Sequence, residues 1–247
     1  MTTIRTQPPA FNWYFTNSKL LFAFLIASSL STTSRAQQLE VRASLNSGFY
    51  SYRGNGAESV SRIDDVAYTN NPYGSKGGLS YGLSLNIRQV MKSNFIFGAD
   101  LGYEMLRSKV KLEYFDVIGD IASDFEGRTY LNTSFINLFP YVGGRFTVSQ
   151  QPFDIVGGLD VGKVLSSKEN GDAKSIDNSQ FHIQTSVDRK RLKTDFRPRI
   201  QLSTDFERTG VYVGYSHGIR NYKAGLQGIT VDAYSRMLRV GLTYRIK

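Results

Sequence analysis

The chain has 247 residues, with 30 Lys and Arg against 21 Asp and Glu, 23 Gly, 15 Tyr, 16 Phe, two His and no Cys. Without Cys there is no disulfide framework, Cys-ligated zinc site, thiol nucleophile or acylated lipoprotein Cys, and two His make a His-rich metal site a poor expectation. An aromatic content of 13% with abundant Gly excludes disorder and points to a folded β protein.

The first 36 residues read as an address. Residues 1–19 carry Arg5 and Lys19 and no acid, and an eleven-residue apolar run follows from Leu20 to Leu30. That length suits a signal-peptide core and falls short of the roughly 20 residues of a spanning helix. Small residues at Ser34 and Ala36, flanking Arg35, place cleavage after Ala36. The mature chain, 37–247, then keeps 27 basic and 21 acidic residues. This modest, scattered positive excess suits an anionic membrane surface rather than nucleic acid.

After Ala36 the pattern is alternation with period two, the mark of strands with one apolar face. Leu39, Val41, Ala43, Leu45 and Phe49 alternate with Glu40, Arg42, Ser44 and Asn46. Leu79 to Ile87 alternate with Ser80 to Arg88, and Phe95 to Met105 with Gly98, Asp100, Gly102 and Glu104. Ile136, Leu138, Val142, Phe146 and Val148 oppose Asn137, Tyr141, Gly143 and Arg145; Phe153, Ile155, Leu159 and Val161 oppose Asp154, Gly158 and Asp160. Phe196, Ile200, Leu202 and Phe206 oppose Arg197, Arg199, Gln201 and Asp205. Val211, Val213 and Tyr215 oppose Gly214, Ser216 and Gly218, and Leu238 to Ile246 oppose Arg239 to Arg245. Pro140 and Pro198 fall inside these patterns and, having no N–H for the ladder, predict local bulges.

Eight segments, an even number, suit an outer-membrane barrel. Connections near 92–94, 149–152 and 207–210 are short, whereas those near 53–78, 110–130, 166–194 and 223–235 are long and polar. Short turns at one end and long loops at the other are the layout of a transmembrane barrel. A soluble barrel or sandwich would put the apolar face inward. Gly and Ser interleaved with charges of both signs suit a narrow lumen instead. The expected fold is therefore all-β: an eight-stranded antiparallel transmembrane β-barrel, an up-and-down meander, behind a cleaved signal peptide.

The last strand, Arg239-Val240-Gly241-Leu242-Thr243-Tyr244-Arg245-Ile246, resembles the insertion signal of outer-membrane barrels at Arg239, Gly241, Tyr244 and Ile246. Together with Ser134–Pro140, Gly157–Gly162 and Tyr215–Asn221, the chain resembles the outer-membrane barrel family common in Bacteroidetes, the PorT-like group. The resemblance implies an outer-membrane barrel inserted by the barrel-assembly machinery. For the PorT branch it implies service in protein secretion and gliding.

Barrel enzymes need a His that accepts a proton beside a Ser or an acid. His217 and Ser216 point to opposite faces by alternation, and His182 lies five and six residues from Asp177 and Asp188, so no catalytic site is expected. Arg42, Arg88, Asp100, Glu104, Arg145, Asp154, Asp160, Arg197, Arg199 and Arg239 would face the lumen. Eight strands leave an interior just wide enough for side chains, and Arg forks onto carboxylates, so a sealed lumen is expected ahead of a small pore. The third long loop carries a basic cluster, Arg189, Lys190, Arg191 and Lys193, that could meet lipopolysaccharide phosphates. Loop two is acidic (Asp116, Asp120, Asp124, Glu126) without the spacing of a calcium loop, and no cofactor fingerprint is found.

The expected function is a non-enzymatic outer-membrane barrel presenting extracellular loops to a secretion or surface protein. The alternatives are a small pore, a lipid-A-modifying enzyme or a soluble periplasmic barrel. N-terminal sequencing of the protein recovered from outer-membrane fractions should begin at Gln37; recovery of residues 1–36 on the chain would overturn the export reading.

Overall fold

The computed structural model describes residues 38–63, 69–115, 124–176, 182–189, 192–224 and 231–247. The expected leader and cleavage site lie outside the described residues. The described residues form β1 (Gln38–Arg53), β2 (Val60–Ile63), β3 (Lys76–Val90), β4 (Phe95–Phe115), β5 (Asp124–Val148), β6 (Gln151–Ser175), β7 (His182–Asp188), β8 (Thr194–Phe206), β9 (Thr209–His217) and β10 (Tyr234–Arg245). They contain no helix.

Eight of these strands close a ring in the order β1, β3, β4, β5, β6, β8, β9, β10, with β10 antiparallel to β1. Closure removes the open edges that would otherwise pair with other chains. The register shears as it goes round. From Glu40 the directly opposed residues are Arg88, Gly98, Tyr141, Gly158, Arg199, Ser216, Met237 and then Tyr50, ten residues further along β1. That slip tilts the strands by about 40° and fixes which side chains share a level of the lumen.

The two faces are as the alternation implies. Leu45, Leu83, Leu101, Val142, Ile200 and Leu242 all point outward and are 53–66% exposed, and every ring strand carries such residues. Monomeric soluble proteins do not expose an apolar band encircling the whole molecule. On β4 the band runs from Phe95 to Met105 and on β10 from Leu238 to Ile246. Those spans match the 9–11 residues a tilted strand needs to cross a bilayer. Phe95, Phe146, Phe153, Phe206 and Tyr244 mark its rim beside the short turns, with Phe146 and Phe153 stacked at 5.7 Å. Tyr81 and Tyr103 mark the opposite rim.

At that second rim the alternation changes phase. On β4 the apolar residues face out up to Met105, and then Leu106, Val110 and Leu112 face in, fully buried, while Arg107, Lys109 and Lys111 face out. The same switch occurs between Phe49 and Tyr50, between Phe135 and Ile136, and between Met237 and Leu238. Outside the bilayer the outer surface meets water, so the apolar residues move to the inner face. The connections expected as loops at 110–130 and 166–194 are therefore largely strand. β4 reaches Phe115, β5 starts at Asp124, β6 reaches Ser175, and β7 pairs back onto it. β2 adds to β4 in parallel. The wall stands tall along β4–β7 and ends early at β9.

The bulges expected at Pro140 and Pro198 do not occur. Both prolines sit opposite Leu159 with their rings outward, and the register is the same on either side of each. The β5–β6 ladder merely omits Phe139 and Pro140, and the β8–β9 ladder begins just beyond Pro198, at Arg199. The register shift lies instead between Ser134 and Phe135. The short turns absorb their tight geometry at Asn94, Ser149, Gln150 and Glu207, all with positive φ.

A depth-dependent penalty tests this wall. Leu83→Arg, at mid-belt, should cost roughly 2–4 kcal/mol of folding stability in lipid vesicles, and Phe95→Arg, at the rim, about 0–1 kcal/mol. Equal costs in urea titrations would mean that the outer face does not contact lipid.

Candidate functional site

The lumen is layered. Nearest the short turns, Arg88 donates from Nε to Glu40 (2.7 Å) and reaches Asp154 (2.8 Å) and Asp205 (3.1 Å). Arg42 bridges Glu40 (2.9 Å) and Asp205 (2.6 Å). Arg145 forks onto Asp154 with bonds of 2.7 and 2.9 Å. These residues share a level because the shear brings β1, β3, β5, β6 and β8 into step there.

In the middle layer Arg239, Arg197 and Asp160 are fully buried and Glu104 nearly so. Arg239 donates to both oxygens of Glu104 (2.7 and 2.9 Å), to Asp160 (3.0 Å) and to the Ser216 hydroxyl (2.7 Å). Arg197 reaches Asp160 (3.1 Å) and Asn137 (3.1 Å) and lies over the Phe135 ring. Arg199 lies over the Phe139 ring at 4.3 Å, with Asp100 3.9 Å away. The structure places Arg42, Arg88, Arg145 and Asp154 in the first of these layers and Asp100, Glu104, Asp160, Arg197, Arg199 and Arg239 in the second, and Glu40 and Asp205 pair with the first. Both were legible on the polar face of their strands.

Above this layer the lumen is capped by aromatic rings. Tyr50 and Tyr52 from β1 meet Tyr73 and Tyr222 from two connections, edge to face, with centroids 5.0–5.9 Å apart. Leu106, Leu131, Phe135 and Met237 pack beneath them. Burial raises the Tyr222 hydroxyl well above its ordinary pKa, so it stays protonated and donates to Asp195 at 2.9 Å, beside the Ser235 hydroxyl at 2.7 Å. Sequence reading missed this cap because Tyr73 and Tyr222 come from connections without periodicity and Tyr50 and Tyr52 lie just past the change of phase on β1.

An internal cavity between the two charged layers is about 20 Å³ and is lined by residues that include Asn86, Asp100, Tyr141, Arg199, Gln201 and Tyr212. That is room for a single water molecule.

The basic cluster expected in loop three is corrected. Arg189 turns inward, almost fully buried, and donates to Glu169 (2.6 Å) and to the Thr69 carbonyl (2.7 Å) and hydroxyl (2.6 Å). Its alternation with β7 places it on the inner face, where it pins the tall wall to the first long connection. Lys193 is exposed, and Lys190 and Arg191 lie outside the described residues, as do Asp116, Asp120 and Asp177. His217 faces outward against Tyr215 and Tyr234, while Ser216 faces the lumen and Arg239, so the two form no dyad. His182 is 3.9 Å from Asp172, both partly exposed on the outer wall. Among the described residues no cluster of three metal-ligating side chains is found. Of the expected insertion signal, Arg239 is in the middle charge layer, Gly241 faces inward against the Tyr212 ring, and Tyr244 and Ile246 face outward.

Arg239→Met should cost about 3–5 kcal/mol, because it leaves Glu104 and Asp160 buried and undercompensated. Unfolding by urea should show the double variant Arg239→Met/Glu104→Gln recovering much of that loss.

No protein-family model and no curated protein matches the chain. Among solved structures it is similar to Ail, the attachment invasion locus protein of Yersinia pestis in complex with the heparin analogue sucrose octasulfate. The identity is 10% over 85% of this chain and 99% of that one, with a TM-score of 0.38. It is similar to Neisserial surface protein A (NspA) at 9% identity over 83% and 97%, with a TM-score of 0.36. It is also similar to the translocator domain of autotransporter NalP from Neisseria meningitidis, at 13% over 94% and 96%, with a TM-score of 0.25.

Proposed function

We propose that this chain is an outer-membrane β-barrel protein of the PorT-like kind, exported by its first 36 residues and inserted by the barrel-assembly machinery. In this reading it is a non-enzymatic scaffold that presents its long-loop end to a secretion or surface protein, with lipopolysaccharide around it. The observation that carries the reading is the combination of a sealed lumen with a one-sided wall. The lumen holds interlocked charges around a cavity of about 20 Å³, which supports a scaffold over a pore. The elaborated part is the sheet of β4–β7, which continues past the apolar belt and is fixed from inside by Arg189, Glu169 and Thr69. Rigidly mounted surface elements of this kind are a common seat of recognition.

Replacing residues 169–189 by a Gly-Asn turn should leave a heat-modifiable, membrane-inserted barrel that is silent in planar bilayers. It should also abolish the phenotype produced by deleting the gene. Full complementation by the shortened protein would remove the tall wall from consideration, and stable single-channel currents from the intact protein would restore the pore.

A further inference from the structure

We infer that the outer face of the β3–β5 corner is a binding site for the phosphoryl headgroup of a membrane lipid in the leaflet at the long-loop end. The inference rests on the membrane-spanning reading and assigns the lipid contact to a different place from the loop-three cluster, whose Arg189 faces inward.

Four cations face outward on two successive levels of these strands. Lys76 on β3 lies directly opposite Lys109 on β4, and Lys111 on β4 directly opposite Arg128 on β5. Like charges directly opposite across a sheet destabilise it, so this arrangement calls for an anion. Glu113 takes up Lys111 at 3.2 Å. Lys76, Lys109 and Arg128 have no ion-pair partner among the described residues. One level below, Arg107 donates to Asn132 at 2.7 Å and lies over the Tyr130 ring, which anchors the lower edge of the patch. The four cations line an open hollow of about 510 Å³ together with Lys174, Glu126 and Asp172; Asp172 on β6 stands directly opposite Arg128 and Glu126 opposite Lys174, so the uncompensated positive charge is at Lys76 and Lys109.

Height selects the occupant. Immediately beneath Arg107 are Met105 and the Tyr81 and Tyr103 rings that end the apolar belt, so the hollow stands where lipid headgroups begin. A soluble anion would meet the same charges but gain nothing further from that height. A lipid phosphate arrives there with its acyl chains already along the belt.

The test uses the mature chain folded in micelles and titrated with diphosphoryl lipid A. Removing each charge should weaken binding by about fivefold, so Lys76→Gln/Lys109→Gln should weaken it by about 25-fold. Lipid A stripped of its phosphates should bind the wild type no better than the intact lipid binds the variant. Lys92→Gln, in a short turn at the other end, should change nothing. The double variant should insert into phosphatidylcholine vesicles as well as the wild type, because its loss removes repulsion. Unchanged binding by the double variant, or equal weakening by Lys92→Gln, would overturn the site. Displacement by inorganic phosphate at the lipid's own concentration would make it a soluble-anion site and overturn the lipid assignment. If the wild type fails to insert into phosphatidylcholine, the membrane reading falls and takes the site with it; if it inserts but shows no preference for lipid A, the site alone falls.

Discussion

An eight-stranded ring is too narrow to hold bulk water and too polar inside to be left dry, so each lumen charge must find an opposite charge at its own level. The ten-residue shear makes this achievable. It brings Arg239 of β10 level with Glu104 of β4 and Asp160 of β6, although the three lie far apart in sequence. Glycines at 82, 98, 102, 158, 162 and 214 alternate with these long side chains and make the room they occupy. Gly162 illustrates the tightness: a Cβ there would meet the Asn137 side chain, the Phe135 ring and the Arg197 guanidinium within 3.1 Å. Burying ion pairs is costly, and replacing such groups with well-packed apolar residues is often neutral or stabilising. A layered Arg and carboxylate lumen is therefore a constraint on register as much as a source of stability, since a slip by one residue would turn every charge into lipid.

The same strands meet two solvents, and their sequence records the change. Across the bilayer the outer residues are Leu, Val, Ile and Phe and the inner ones polar. Beyond the second rim the outer residues become Arg, Lys and Tyr and the inner ones Leu, Val and Phe. The aromatic cap of Tyr50, Tyr52, Tyr73 and Tyr222 sits at this inversion. It closes the charged lumen from the outer side, while Val90, Ile96, Phe139, Tyr141 and Val156 form a second apolar cluster nearer the short turns.

The tall wall follows from that inversion. β4, β5 and β6 can extend beyond the membrane only because their inner faces turn apolar there, with Leu112 packed on Ala173 and Ile183. β7 and β2 widen the sheet, and the buried Thr69–Glu169–Arg189 group ties it to the first long connection. The outer surface is left free to be cationic. The sheet of β4–β7, rising past the apolar belt on one side only, is what distinguishes this barrel from a plain eight-stranded ring.

Much of this was determined by the sequence alone. Period-two alternation is a local property, so it specified eight ring strands, the polar and apolar face of each, and the short turns between them. It also separated Ser216 from His217 without any coordinates. What it could not supply were relations between strands. Which carboxylate Arg239 or Arg88 meets depends on ring closure and shear. Whether Arg189 faces lipid or the interior depends on β7 pairing with β6. The strand extensions were hidden because a change of phase at the membrane rim looks, in sequence, like the loss of a pattern. The prolines misled for the opposite reason: Pro lacks a ladder donor everywhere, but only the neighbouring strands decide whether its absence shifts the register, and beside Leu159 it does not.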